Sequence, residues 1–193
     1  MTDLADLPLF PLQTVLFPGG RLPLRIFEQR YMEMASACLR HGSSFGVCLI
    51  REGAEVGAPA VPEPVGCLAR IAEWDMEQLG VLRVTVLGER RFRVQSQRVQ
   101  PDRLLRASAE LLPEEQDAPV PPALQACVHL IERAIEQAPA LFPEPRRLDS
   151  CAWVGARLAE ALPLPLAARQ ELLEMPDARE RLELLNDLLQ RPA

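Results

Sequence analysis

The chemistry open to this chain is set by five cysteines, two histidines and a complete absence of lysine. All 21 basic residues are arginine, which excludes a Walker A lysine, a Schiff-base lysine and a Ser-Lys dyad. Cys48, Cys67 and Cys127 lie inside apolar runs, where a reduced thiol behaves as a small hydrophobe. The cysteine count is odd and no pair has a Cys-x-x-Cys spacing, so neither a disulfide framework nor a zinc site is indicated. Cys151 is the best-placed nucleophile, near an expected helix start whose dipole would lower a thiol pKa, but no Gly-x-Ser-x-Gly elbow supports it. His129 has Glu132 three residues on, half of a metal-site pattern; the other histidine, His41, is distant in sequence, and zinc needs three or four converging ligands. No catalytic residue, metal-ligand set or cofactor is assigned.

Binding candidates are richer. Around Phe27, Glu28 suits a helix N-terminus whereas Arg30 does not, because the helix dipole is already positive there. Two readings follow: Arg30 locks a strand–helix junction through a nearby carboxylate, or Arg25, Glu28 and Arg30 line a surface that touches a partner. Further on, Trp74, Met76 and Leu79 fall in or beside an expected hairpin tip at 75–80. Adaptable methionine and aromatic anchors there suit contact with varied polypeptides, unless they fold back onto the core. The stretch 90–106 holds six arginines (Arg90, Arg91, Arg93, Arg98, Arg103 and Arg106) that could meet RNA phosphates, or simply form a solvated strand face. Stacking platforms are missing, since Phe92 is expected to point inward.

The elements that must position these residues come in two kinds. Residues 7–12 and 22–27 are expected strands, separated by Pro18-Gly19-Gly20, which supplies a turn. A helix is predicted over 28–40, with Tyr31, Met34, Ala35 and Cys38 on one face. Strands follow at 45–50, 65–74, 82–87, 91–99 and 105–112, with a Pro/Ala-rich loop at 57–64. Leu82, Val84 and Val86 alternate with Arg83, Thr85 and Leu87, as in a half-buried strand. Four prolines and three acids in residues 113–122 predict a linker. Beyond it, four helical patterns are expected, with Asp149 capping the second and Asp177 to Glu180 opening the fourth as a capping box. The expected architecture is α+β: a β barrel over 1–112 with one early helix, a linker over 113–122, and a helical bundle over 123–193.

Composition bounds the partners. The chain has 193 residues, 48% of them apolar, enough for a sizeable core. Residues 1–112 carry 13 acidic and 13 basic side chains, whereas 113–193 carry 14 acidic and 8 basic, the whole of the net charge of −6. That distribution argues against nucleic acid, whose phosphates need a cationic surface. No apolar run approaches a membrane span, and the acidic N-terminus lacks a basic secretory n-region, so the cytoplasm is expected.

Three blocks carry a resemblance. Leu7-Pro-Leu-Phe-Pro-Leu12, Val15-Leu-Phe-Pro-Gly19 and Leu22-Pro-Leu-Arg-Ile-Phe-Glu-Gln-Arg-Tyr31 resemble the opening of the Lon protease N-terminal domain. Gly66-Cys-Leu-Ala-Arg-Ile71 and the segment 82–94, with its Gly88-x-x-Arg91-Phe92, match later strands of that family. Leu162-Pro-Leu164 followed by Arg169-Gln-Glu-Leu-Leu-Glu174 is similar to its helical tail. The look is closest to bacterial members carrying this domain without ATPase or protease domains. Departures are Gln29, where a proline is common, and Leu79-Gly80, where Asp-Gly is usual. The resemblance implies a PUA-like pseudobarrel followed by helices, and a non-enzymatic module that recognises polypeptide clients or a partner protein. RNA binding through the arginine-rich strands is the alternative, and a small thiol enzyme a third.

Overall fold

The computed structural model describes residues 3–78, 80–142 and 144–190. The chain divides into two compact units, Met1–Leu112 and Pro113–Ala193. The first contains β1 (Asp3–Leu12), β2 (Arg21–Ile26), α1 (Gln29–His41), β3 (Phe45–Glu52), β4 (Val61–Gln78), β5 (Val81–Val99) and β6 (Leu105–Leu111). The second contains α2 (Gln125–Gln137), α3 (Cys151–Ala161), α4 (Leu166–Glu174) and α5 (Ala178–Gln190), with short 3-10 turns at Pro122–Leu124 and Pro139–Leu141.

Strand order in the first unit is β2-β5-β4-β3-β1-β6, and β6 pairs with β5 as well as β1. Five strands therefore close into a ring, which removes their edges. β2 stays outside the ring with β5 as its one partner among the described residues. Among the described strands only β1 and β3 run parallel, and α1 lies between them in sequence. β2 begins after a turn in which Pro18 precedes Gly19 at φ 74 and Gly20 N–H donates to the Phe17 carbonyl at 3.0 Å, as the Pro-Gly pair predicts.

The ring is filled from alternate residues of each strand. Leu82, Val84 and Val86 of β5 are buried with Phe10, Phe45, Val47 and Cys67. Tyr31, Met34, Ala35 and Cys38 turn the apolar face of α1 into the same core. Tyr31 stacks on Phe10 at 4.1 Å between centroids. A second cluster gathers Leu7, Leu9, Cys48, Leu105 and Ala107 around Phe92. Phe92 pairs in register with Gly66, and its ring occupies the space a Cβ would take at Gly46, 2.6 Å from its Cζ.

Three expectations for the first unit need correction. The stretch 57–64 is not all loop: β4 begins at Val61 and pairs irregularly with β3 through Pro62. Pro62 and Pro64 of β4 lie where the register shifts, which spares the ladder the N–H they lack. The hairpin tip does not span 75–80, because pairing continues to Gln78↔Val81. Trp74 and Met76 thus sit on β4. Finally, the gap left at 88–90 is bridged: β5 runs unbroken for 19 residues. Gly88 permits this, since its N–H donates to Gly20 and its carbonyl accepts from Gly19, both at 2.8 Å, while Phe17 backbone fills its Cβ position.

In the second unit, α2 buries Cys127, Val128, Ile131 and Ile135, and α5 buries Leu182 and Leu185. The proline-rich segment 113–122 forms two isolated bridges, Gln116↔Asp177 and Pro119↔Ser150. Glu115 makes a two-pronged ion pair with the fully buried Arg181, at 2.8 and 2.5 Å. Asp117 accepts from the Ser150 hydroxyl and Ala152 N–H. The cap of α3 is Ser150, whose Oγ accepts from Trp153 N–H at 3.0 Å, and not the neighbouring Asp149. Asp177 does cap α5, accepting from Arg179 and Glu180 N–H.

Candidate binding site

The site is built on β2 and the rows of residues that continue across β5 and β4. Register sets three of them: Pro23–Thr85–Glu73, Leu24–Val84–Trp74 and Arg25–Arg83–Asp75. These nine residues line a cleft of about 530 Å³. A second cleft, about 290 Å³, lies between β2 and the core, lined by Phe10, Leu12, Ile26, Phe27, Tyr31 and Val56 among others. Pro23, Leu24 and Arg25 belong to both.

Large apolar side chains stand open around these clefts. Trp74 is 60% exposed, Phe27 57%, Val56 57% and Met76 48%. Soluble proteins seldom gather such residues without a use for them. Tyr31 lines the second cleft, and burial pushes its phenol up against the lowering pull of Arg30. Glu28 and Glu55, the carboxylates at its rim, are engaged: Glu28 pairs with Arg30 at 2.9 Å and Glu55 accepts from Gln13 N–H at 2.6 Å.

The residues singled out by sequence separate here. Arg25, Trp74 and Glu28 reach the clefts, with Met76 two positions beyond Trp74 on β4. Arg30 does not: it is buried, its guanidinium bonded to Glu28 and to the Arg103 carbonyl at 3.0 Å and lying 4.6 Å from the Tyr31 ring centroid. These contacts hold it at the strand–helix junction. Leu79 lies outside the described residues. Phe27 and Val56 were not singled out. Val56 gave no signal, being one valine in a turn-rich stretch, whereas Phe27 is apolar at an outward position, next to the inward series Leu22, Leu24 and Ile26.

The alternative chemistries fare differently. All five cysteines are buried. Burial, then the neighbouring Asp117, pushes the Cys151 thiol up rather than down, so a dipole-activated nucleophile is not what the geometry supplies. Burial likewise pushes Cys48 up to about 12. Among the described residues no group of three or more histidine, cysteine or acidic side chains is placed to hold a metal. In the arginine-rich stretch, Arg98 and Arg106 both pair with Asp6, and Arg90 donates to the Leu112 carbonyl. Asp6 takes the left-handed φ of 63 at a bulge in β1 to reach them.

A barrel unit with a sixth strand outside the ring, followed by a helical unit, matches a defined class of domain. The family described as the ATP-dependent protease La (LON) substrate-binding domain fits residues 6–191, and the chain belongs to that family. It is 26% identical to the Lon protease of Escherichia coli K12 and 27% identical to that of Xanthomonas oryzae, over 96% and 97% of its length. It spans about a quarter of those relatives, 24% and 23% of their lengths. The crystal structure of a Lon N-terminal domain protein from Xanthomonas campestris superposes with a TM-score of 0.79 at 39% identity, covering 98% of this chain and 100% of that one. The N-terminal domain of Mycobacterium avium complex Lon protease shares the fold, with a TM-score of 0.65 at 20% identity over 94% and 96% of the two chains.

Proposed function

We propose that this chain is a polypeptide-recognition module that holds apolar segments of unfolded or partly folded clients at the β2 clefts and performs no bond chemistry itself. The observation that carries the reading is the grouping of Phe27, Val56 and Trp74 around two clefts that share one strand. Each exposed aromatic contributes large contact area at little entropic cost, since two torsions fix it. Family membership supports substrate recognition as the role. No described helix is long and apolar enough to cross a membrane, and we take the cytoplasm as its place of action. Handing a client to an ATPase and protease would follow from the relatives' domain, whether in the same chain or in trans.

The test is binding of a fluorescently labelled, permanently unfolded polypeptide, followed by anisotropy. Trp74→Ala and Phe27→Ala together are expected to weaken binding at least about tenfold, as loss of two aromatic anchors does. The natively folded form of the same polypeptide is expected not to bind. Equal affinity for wild type and double variant would sink the reading.

A further inference from the structure

We infer that the free edge of β2 is a strand-addition site, taking an extended segment of alternating acidic and apolar residues as a further strand of the sheet. The inference rests on the polypeptide-binding reading and specifies its geometry and client class.

The backbone supplies the first part. β2 pairs with β5 on one side, and no pairing covers its other side among the described residues. The phase of the ladder follows from Gly20, whose carbonyl accepts from Gly88 N–H at 2.8 Å. Antiparallel ladders alternate inward and outward groups. Leu22, Leu24 and Ile26 therefore turn their backbone groups toward β5, and Arg21, Pro23 and Arg25 turn theirs outward. Pro23 has no N–H and falls in the outward set, where it costs the ladder nothing. What remains for a visiting strand is the N–H and C=O of Arg21 and Arg25 and the C=O of Pro23. Adding a strand to such an edge is an established mode of peptide recognition.

Side chains supply the second part. The row Arg25–Arg83–Asp75 holds two guanidiniums and one carboxylate. Like charges directly opposite one another are unfavourable, and Arg25 has no ion pair among the described residues. An acidic residue in the next position outward faces Arg25 and brings the row to two guanidiniums and two carboxylates. The adjacent row, Leu24–Val84–Trp74, is apolar and asks for an apolar residue in the same place. Successive residues of an added strand meet successive rows, so acid and apolar alternate. A second copy of this chain fits poorly: its own edge strand reads Arg21-Leu-Pro-Leu-Arg25 and would bring arginine to arginine.

The probe is a blocked, fluorescein-labelled ten-residue peptide of alternating aspartate and valine. Anisotropy is expected to show saturable binding, weakened at least tenfold by N-methylation of alternate amides, which removes the donors an edge requires. Arg25→Glu is expected to weaken the aspartate peptide at least tenfold and to bind the lysine–valine counterpart instead. That exchange of preference is a result no unfolded variant would give. Undiminished binding of the N-methylated peptide, or indifference to Arg25→Glu, overturns the inference. So does a dimer in light scattering that Arg25→Glu dissociates, because the edge would then be taken by a second copy. If the unfolded polypeptide binds through Trp74 and Phe27 while N-methylation has no effect, strand addition fails and the polypeptide-binding reading stands. If neither ligand binds, both fail.

Discussion

Asp117 does more for the helical unit than its place in a proline-rich segment suggested. Burial opposes its ionisation, but hydrogen bonds from Ala152 N–H, the Ser150 hydroxyl and Ala118 N–H, with Arg147 nearby, outweigh it and hold the carboxyl below the usual range. A depressed carboxyl stabilises the folded state at pH values above its unfolded pKa, and that stabilisation drains away as pH falls through the folded value. Asp117→Asn is therefore expected to cost about 1–2 kcal/mol near neutrality. The gap between variant and wild type should close below about pH 4 in urea unfolding followed by circular dichroism. A gap independent of pH would show that the charge is not what matters. None of this was legible beforehand. Asp117 and Ser150 are 33 residues apart, and local sequence rules favoured Asp149 because they see only neighbours. Arg30, by contrast, was readable, since Glu28 stands two residues away and the two meet within one turn.

Among elements, β3, β4 and β5 are held at close quarters by Phe92. Gly66 lies opposite it, and a methyl group at Gly66 would strike the Val47 carbonyl, with Cys48 Sγ at 2.7 Å and Phe92 Cζ at 2.8 Å. Overfilling a packed core costs about 1–3 kcal/mol when side chains can give way, and here the nearest atom is backbone. Gly66→Ala is expected to lower barrel stability by at least about 2 kcal/mol in thermal unfolding, which a change of less than a degree would contradict. Strand periodicity located most of these elements correctly, because alternation such as Leu82, Val84, Val86 is written locally. Their ends were not readable. Prolines at 62 and 64 look like loop residues until β3 is alongside, and the hairpin's length depends on pairing that neither strand declares alone.

For the whole molecule, charge decides between partners. The second unit is acidic and the first neutral, and on β5 and β6 Arg98 and Arg106 are tied to Asp6 and Arg90 to the Leu112 carbonyl. Binding to single-stranded RNA is expected to be undetectable in gel shift at low salt; retention that fell steeply with added salt would revive that reading. The fold class was legible from the change of pattern near residue 112 and from the family blocks. The clefts were not, because they arise where β2 leaves the ring, a matter of closure rather than composition. A single strand, β5, carries both the rows beneath Trp74 and those that shut the barrel against β6, with a register shift between Gly88 and Arg91 separating the two sets. Adding one residue within a regular stretch of β5 would turn the side chains that follow it to the wrong face. An insertion between Gln78 and Val81 leaves both ladders intact. Natural variation in length should accordingly collect at that turn, where the reach of the hairpin can change while its foundation stays put.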